Sequence, residues 1–238
     1  MVSPKRSLGD APCEGGGYRI SVLERQVEIT WLGHSCFRLR GRDATIITDP
    51  HDSTSGYTLG KVGADVVTIS HSAPDHSNVR GIEGDPRIVN GPGEYEIGGV
   101  LITGVATRRD GKAGALKERN TAYLIKIDDL AVCHLGDLGH ILAPDQVEQM
   151  NSADILLVPV GGNNTISASQ AAEVVSQIEP RIVIPMHYKT EVTTLDLEPV
   201  NKFLREMGVT DPKPQPKLTV TRGSLPEETT LVILNFKP

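Results

Sequence analysis

A mixed α/β fold with a β-rich first half is predicted by three features of the sequence. Short Val, Ile and Leu runs separated by Gly-containing turns fill residues 18 to 107. Strands alternate with helices after residue 134, and aromatics make up only 4% of the 238 residues, which leaves the core to aliphatic side chains. In chain order, strands are expected at Val27 to Trp31, Cys36 to Leu39, Thr45 to Thr48, Val66 to Ile69, Arg87 to Val89 and Gly99 to Val105. Gly91-Pro92-Gly93 and Gly98-Gly99 act as breakers, and a short helix is expected to begin near Asp75. After a loop from Arg108 to Asn120, Thr121 to Ile127 and Leu130 to His134 form a hairpin turning at Asp128-Asp129. Helices are then expected at Asp145 to Met150, at Ser167 to Ile178 with Ser167 as N-cap, and at Pro199 to Met207; buried strands lie between them at Asp154 to Val160 and Arg181 to Pro185. Prolines at 212, 214 and 216 stiffen the connector to two last strands, Leu218 to Thr221 and Thr229 to Asn235.

Composition narrows the function classes. With 24 Lys and Arg against 30 Asp and Glu, the net charge of −6 repels polyanions, so nucleic acid is not an expected partner. The longest apolar run, around Ile155 to Val160, is far short of the ~20 residues that a membrane helix needs. Residues 1 to 17 lack the apolar stretch of a secretory signal; they are expected to be a flexible tail on one domain spanning 18 to 238, with a cytoplasmic address. Cys13, Cys36 and Cys133 are too scattered for a disulfide framework and are read as free thiols. Self-association is left open.

The densest polar signal is Ser70-His71-Ser72-Ala73-Pro74-Asp75-His76, directly after the strand Val66 to Ile69. Two imidazoles and a carboxylate emerging from a strand end suit a divalent metal, although a capped, solvated turn reads equally well from this segment alone. Further ionisable groups sit just past other strand ends: Asp49 after Thr45 to Thr48, Asp137 after Leu130 to His134, and His187 after Arg181 to Pro185. Side chains at the C-terminal ends of different strands converge on a common cleft.

Taken with Trp31-Leu32-Gly33-His34-Ser35-Cys36-Phe37, Ile47-Thr48-Asp49-Pro50, His134-Leu135-Gly136-Asp137, Val158-Pro159-Val160-Gly161-Gly162 and Ile184-Pro185-Met186-His187, the chain resembles the metallo-β-lactamase superfamily over roughly residues 27 to 190. Its branch is similar to the ascorbate-6-phosphate lactonases. The resemblance implies a four-layer αββα sandwich of two sheets with helices outside and a metal cleft at one edge. It also implies a metal motif H-x-H-x-D-H followed by a mid-chain His, a bridging Asp and a last His.

Carried onto this sequence, the motif places metal ligands at His71, Asp75, His76, Asp137 and His187, with Asp75 and Asp137 also catalytic. Ala73 stands where the second His belongs, and Arg109 where the mid-chain His belongs. One of the family's two metal positions is thereby dismantled while its neighbour, Asp75, His76, His187 and Asp137, is whole. A guanidinium cannot ligate a metal, so Arg109 either sets a fixed positive charge beside Asp137 or points into solvent. Asp49, His34 and His134 are expected to orient ligands or touch substrate, the alternatives being an Asp-Pro turn starter at Asp49 and hydrogen-bonded structure at the histidines; His140 lies in a segment that could also reach the cleft. The loop's Arg108, Arg109, Lys112, Lys117 and Arg119 outnumber Asp110 and Glu118 and would suit an anionic substrate; a solvated loop is the alternative.

Two functions follow. In the first, one divalent ion, zinc before manganese or iron, lowers the pKa of a bound water towards ~7 for hydrolysis of a small ester, lactone or phosphoester. In the second, the chain is a non-catalytic relative that binds a small anion or a protein partner through the same cleft.

Overall fold

The computed structural model describes residues 25 to 109 and 118 to 237, so the expected tail, Cys13, Asp110, Lys112 and Lys117 lie outside the described residues. The first half forms β1 Gln26–Gly33, β2 Cys36–Arg40, β3 Thr45–Thr48, β4 Val62–Gly63, β5 Val66–Ile69, β6 Ile82–Glu83, β7 Arg87–Asn90, β8 Gly93–Ile97 and β9 Val100–Arg108. The second forms β10 Arg119–Ile127, β11 Leu130–His134, α1 Pro144–Met150, β12 Ile155–Pro159, α2 Ala168–Ile178, β13 Ile182–Met186, α3 Asn201–Glu206, β14 Leu218–Thr221 and β15 Thr230–Leu231.

These strands build two sheets, ordered β14-β1-β2-β3-β5-β7 and β15-β13-β12-β11-β10-β9-β8, with a small β4-β6 ribbon beside them. Their facing sides make one aliphatic core. From the first sheet, Val27, Ile29, Trp31, Phe37, Leu39 and Ile46 point inward at alternate positions, as a strand buried on one side requires. From the second, β11, β12 and β13 are buried at every residue, because the core covers one face and helices the other. Ser167 caps α2 as expected, its side chain accepting from the Gln170 amide at 3.3 Å. The hairpin turns at Asp128-Asp129, both in the left-handed region at φ 46° and 63°.

The sandwich expected from the resemblance is present, with one difference in its outer layers. All three helices among the described residues follow β11, and none covers the outer face of the first sheet. There Leu32, Cys36, Ile47, Val67 and Ile69 are buried with Ile82 beneath Leu59, Val62 and Val79, so the cover is the ribbon and single 3-10 turns.

The helix expected near Asp75 is not formed. His76 N donates to Ala73 O at 2.9 Å in one turn, after which Asn78 is drawn away, its amide to Pro50 O at 2.8 Å and its side chain to His51 O at 3.0 Å. These long-range bonds hold the segment in a shape that a regular helix would not allow. β8 is a strand the sequence does not announce: Gly91 and Gly93 make the expected break, at φ 126° and 141°, but the chain then pairs with β9 from Gly93 onward. The last expected strand shortens to Thr230–Leu231, because the chain leaves β13 to bridge Gln215 through Leu234.

Candidate metal centre

The cluster lies where strand ends of both sheets meet. His34, Asp49, His71, Asp75 and His76 follow β1, β3 and β5 of the first sheet, whereas Arg109, Asp137 and His187 follow β9, β11 and β13 of the second. Two polar struts fix the sheets against each other here. Tyr123 Oη donates to Ile69 O at 2.7 Å, and His134 Nε2 pairs with Ser35 O at 2.8 Å. Ser70 O accepts from the Thr121 amide at 2.9 Å, which ties the motif loop to β10.

Asp137 is the centre of the arrangement, and its two oxygens face different ways. Oδ1 stands 3.3 Å from both His76 Nε2 and His187 Nε2. Oδ2 stands 3.1 Å from Arg109 Nη2 and 3.7 Å from His71 Nε2. Arg109 therefore turns into the cleft, its side chain only 12% exposed, with its other nitrogen 3.0 Å from Glu118 Oε2. Gly139 N donates to Arg108 O at 2.8 Å, zipping the Asp137 loop to the strand end that carries Arg109.

Asp49 is spent on orientation. Its Oδ1 accepts from Ser70 N at 2.7 Å, and its Oδ2 accepts from Ser70 Oγ at 2.5 Å and from His76 Nδ1 at 2.8 Å. With Nδ1 of His76 committed to Asp49, Nε2 is the nitrogen aimed at Asp137. His71 is held likewise through Nδ1, 2.9 Å from Ser70 Oγ, leaving Nε2 free towards the cleft.

The charges are strongly coupled. At His76 burial weighs against the imidazolium, but Asp137, Asp49 and Asp75 outweigh it and raise the pKa to about 9. Burial, with the His76 charge nearby, lowers His71 to about 4, and burial lowers His187 to about 3. Burial would raise Asp137, yet His187, His76, His71 and Arg109 hold it well below the usual carboxylate range. Asp75 is also held low, chiefly by His34 and His76 acting against burial.

The residues fit a divalent ion. Among buried side-chain atoms, His71 Nε2 and both oxygens of Asp137 accept no well-directed hydrogen bond, a costly state unless a cation satisfies them. An ion with bonds of about 2.0–2.2 Å needs donors roughly 3.0–3.4 Å apart, as the spacings around Asp137 Oδ1 provide. His34, His76 and His187 bring ligand nitrogens within 4.8 Å of one another. Asp49, His71 and His76 make a second group by the same measure, but the Asp49 oxygens are already engaged.

Of the remaining expected site residues, His134 is structural, since its Nε2 is bound to the Ser35 carbonyl. His140 holds strand ends rather than entering the cleft: its Nδ1 meets Ile141 O at 2.8 Å and its Nε2 accepts from Arg108 N at 3.3 Å. His34 stands deeper than expected, Nε2 to Nε2 against His76 at 3.0 Å and 3.5 Å from Asp75 Oδ2. Asn120 was not singled out from sequence. Its Oδ1 accepts from Asp137 N at 3.0 Å while its Nδ2 donates to Leu135 O at 2.9 Å, which fixes the loop bearing the central carboxylate. Gly161 is required by closeness, because a Cβ there would collide with the carbonyl oxygen of His187.

Two β-sheets face to face with a His/Asp cluster at one edge define a metal-dependent hydrolase of the metallo-β-lactamase fold. The model of the beta-lactamase superfamily domain matches residues 28–187. The chain is 31% identical over 202 residues to the UPF0173 protein of Pyrococcus furiosus, 77% of this chain and 93% of that relative. It belongs to the UPF0173 metal-dependent hydrolase family of that superfamily. A UPF0173 metal-dependent hydrolase of Lysinibacillus sphaericus is 25% identical over 195 residues, 69% of this chain and 86% of that one. The crystal structure of a Thermotoga maritima protein, assigned as a Zn-dependent hydrolase of the metallo-beta-lactamase superfamily, superposes with a TM-score of 0.72 at 37% identity, covering 89% of this chain and all of that one. No helix among the described residues is long and apolar enough to cross a membrane.

Proposed function

We propose that this hydrolase works with a single divalent ion, zinc, manganese or iron, held by Asp75, His76, Asp137 and His187, and acts on a small anionic ester, lactone or phosphoester. The observation that carries the single-ion reading is the divided environment of Asp137. One oxygen faces the His76 and His187 imidazoles, and the other faces the Arg109 guanidinium at 3.1 Å, with His71 farther off at 3.7 Å; the guanidinium is read as standing in for the family's first ion. Arg109 supplies a fixed charge in place of a cation, holds the Asp137 carboxylate in one orientation, and keeps a second ion out.

Such an ion supplies Lewis acidity, which makes water a nucleophile near neutral pH and polarises the bond to be cut. The chain does the positioning. Asp49 orients His76, Asn120 fixes Asp137, and the unpartnered His71 Nε2 is available to accept from a substrate hydroxyl or a water. A cleft of about 1070 Å³ opens above His71, lined by Ser72, Asn90, Thr107, Arg109 and Arg119. Its two arginines against Glu118 support a carboxylate- or phosphate-bearing substrate, in keeping with the likeness to lactonases of a sugar phosphate.

Metal content of protein purified without added metal tests the reading. About one equivalent is expected, lost on Asp75→Ala or His187→Ala; no metal after reconstitution would leave only a non-catalytic binding role. The paired change Ala73→His and Arg109→His is expected to raise capacity towards two equivalents. Unchanged stoichiometry would show that Arg109 does not stand in a ligand's place.

A further inference from the structure

We infer that His34 is itself a ligand of the metal, an imidazole supplied from the β1–β2 turn to the same centre. The inference rests on the single-ion reading above and extends its donor set.

Buried histidines in this fold divide by what their ring nitrogens do. His51 and His134 spend Nε2 on backbone carbonyls, Leu32 O at 3.0 Å and Ser35 O at 2.8 Å, and so serve as struts. His34 spends neither nitrogen on the backbone. Its Nε2 meets His76 Nε2 at 3.0 Å and Asp75 Oδ2 at 3.5 Å, both in the expected donor set, and its Nδ1 is buried without a partner. His187, a ligand position in the family motif, has the same arrangement: Nε2 turned to the cluster and Nδ1 unpartnered. The two rings lie 4.3 Å apart, and both residues adopt the left-handed backbone at φ 53°.

Their main chains are also joined. His34 O accepts from His187 N at 3.2 Å and from Trp31 Nε1 at 2.9 Å, which fixes the His34 ring relative to the last ligand of the motif. A non-glycine residue held in the left-handed region costs free energy that the surrounding structure must supply, and such positions cluster where a side chain must be aimed. The donor count follows. Three imidazoles, from His34, His76 and His187, with the carboxylates of Asp75 and Asp137 would balance a 2+ charge. Five donors outnumber those a four-coordinate zinc ion takes, which favours manganese or iron at this centre.

The full chain loaded with Co²⁺ provides the test, with imidazoles counted by X-ray absorption fine structure. Three are expected. Two would overturn the role of His34 while leaving the single-ion reading standing, and failure to bind Co²⁺ at all would overturn both. His34→Asn, which tolerates the left-handed backbone, is expected to lower the count to two and weaken Co²⁺ binding at least tenfold with the circular dichroism spectrum retained. A count unchanged by the substitution would likewise overturn the assignment.

Discussion

Asp137→Asn is expected to strip the protein of its ion and to lower its metal-free stability by about 3–5 kcal/mol, the usual cost of removing one partner from a buried ion pair. The amide preserves shape but not charge, and the Asp137 side chain is 1% exposed. Arg109, His76 and His187 would then face a neutral group in place of the buried anion. Denaturant midpoints measured in chelator isolate the stability effect from the metal effect. A midpoint equal to wild type would show that the Arg109–Asp137 pair is energetically idle, and with it the idea that a guanidinium replaces a cation.

Acid and alkali should each destabilise the metal-free protein, through different groups. His71 and His187 have folded values of about 4 and about 3 against 6.5 for an unfolded histidine. Below pH 6.5 the unfolded chain takes up protons that the folded one refuses, so stability falls by up to about 1.4 kcal/mol per pH unit for each group. The depressed carboxylates of Asp137 and Asp75 add a further loss as pH drops through the ordinary carboxylate range. His76 acts with the opposite sign. Its raised value, about 9, gives stability that is complete below 6.5 and is lost as pH rises through 9. Stability in chelator should therefore peak near neutrality, and a flat profile from pH 6.5 to 9 would mean that the carboxylates do not hold a proton on His76. Because Nε2 must shed that proton to bind an ion, metal affinity should climb about tenfold per pH unit below 9.

Much of this was readable from local sequence, for reasons that particular residues illustrate. Residues 70 to 76 carry closely spaced polar groups just past the strand Val66 to Ile69, which places His71, Asp75 and His76 at a strand end, while their reading as ligands draws on the family resemblance. Ser167 was legible because capping depends on a residue type and its near neighbours. The depth of His34 was not. It follows from a left-handed backbone pinned by Trp31 and His187, a contact 153 residues away in sequence that no periodicity encodes. Asn120 was hidden for the same reason, since it joins β10 to the loop after β11 and lies in no motif. The absent helix near Asp75 is the converse case, in which a local expectation gave way to the long-range bonds of Asn78 to Pro50 and His51.

The struts from Tyr123 and His134 have a thermodynamic consequence. Every candidate donor hangs from one sheet or the other, so the ion and the two struts span the same seam. Occupancy and closure of that seam are linked equilibria: an ion that binds only the closed arrangement stabilises it, by about 2.7 kcal/mol at a free concentration 100 times its dissociation constant. By reciprocity, whatever holds the sheets together from afar also tightens the grip on the ion. The hydrophobic core between the sheets is thus part of the metal affinity of the protein, and a cavity opened far from the cleft would be felt as a weaker site.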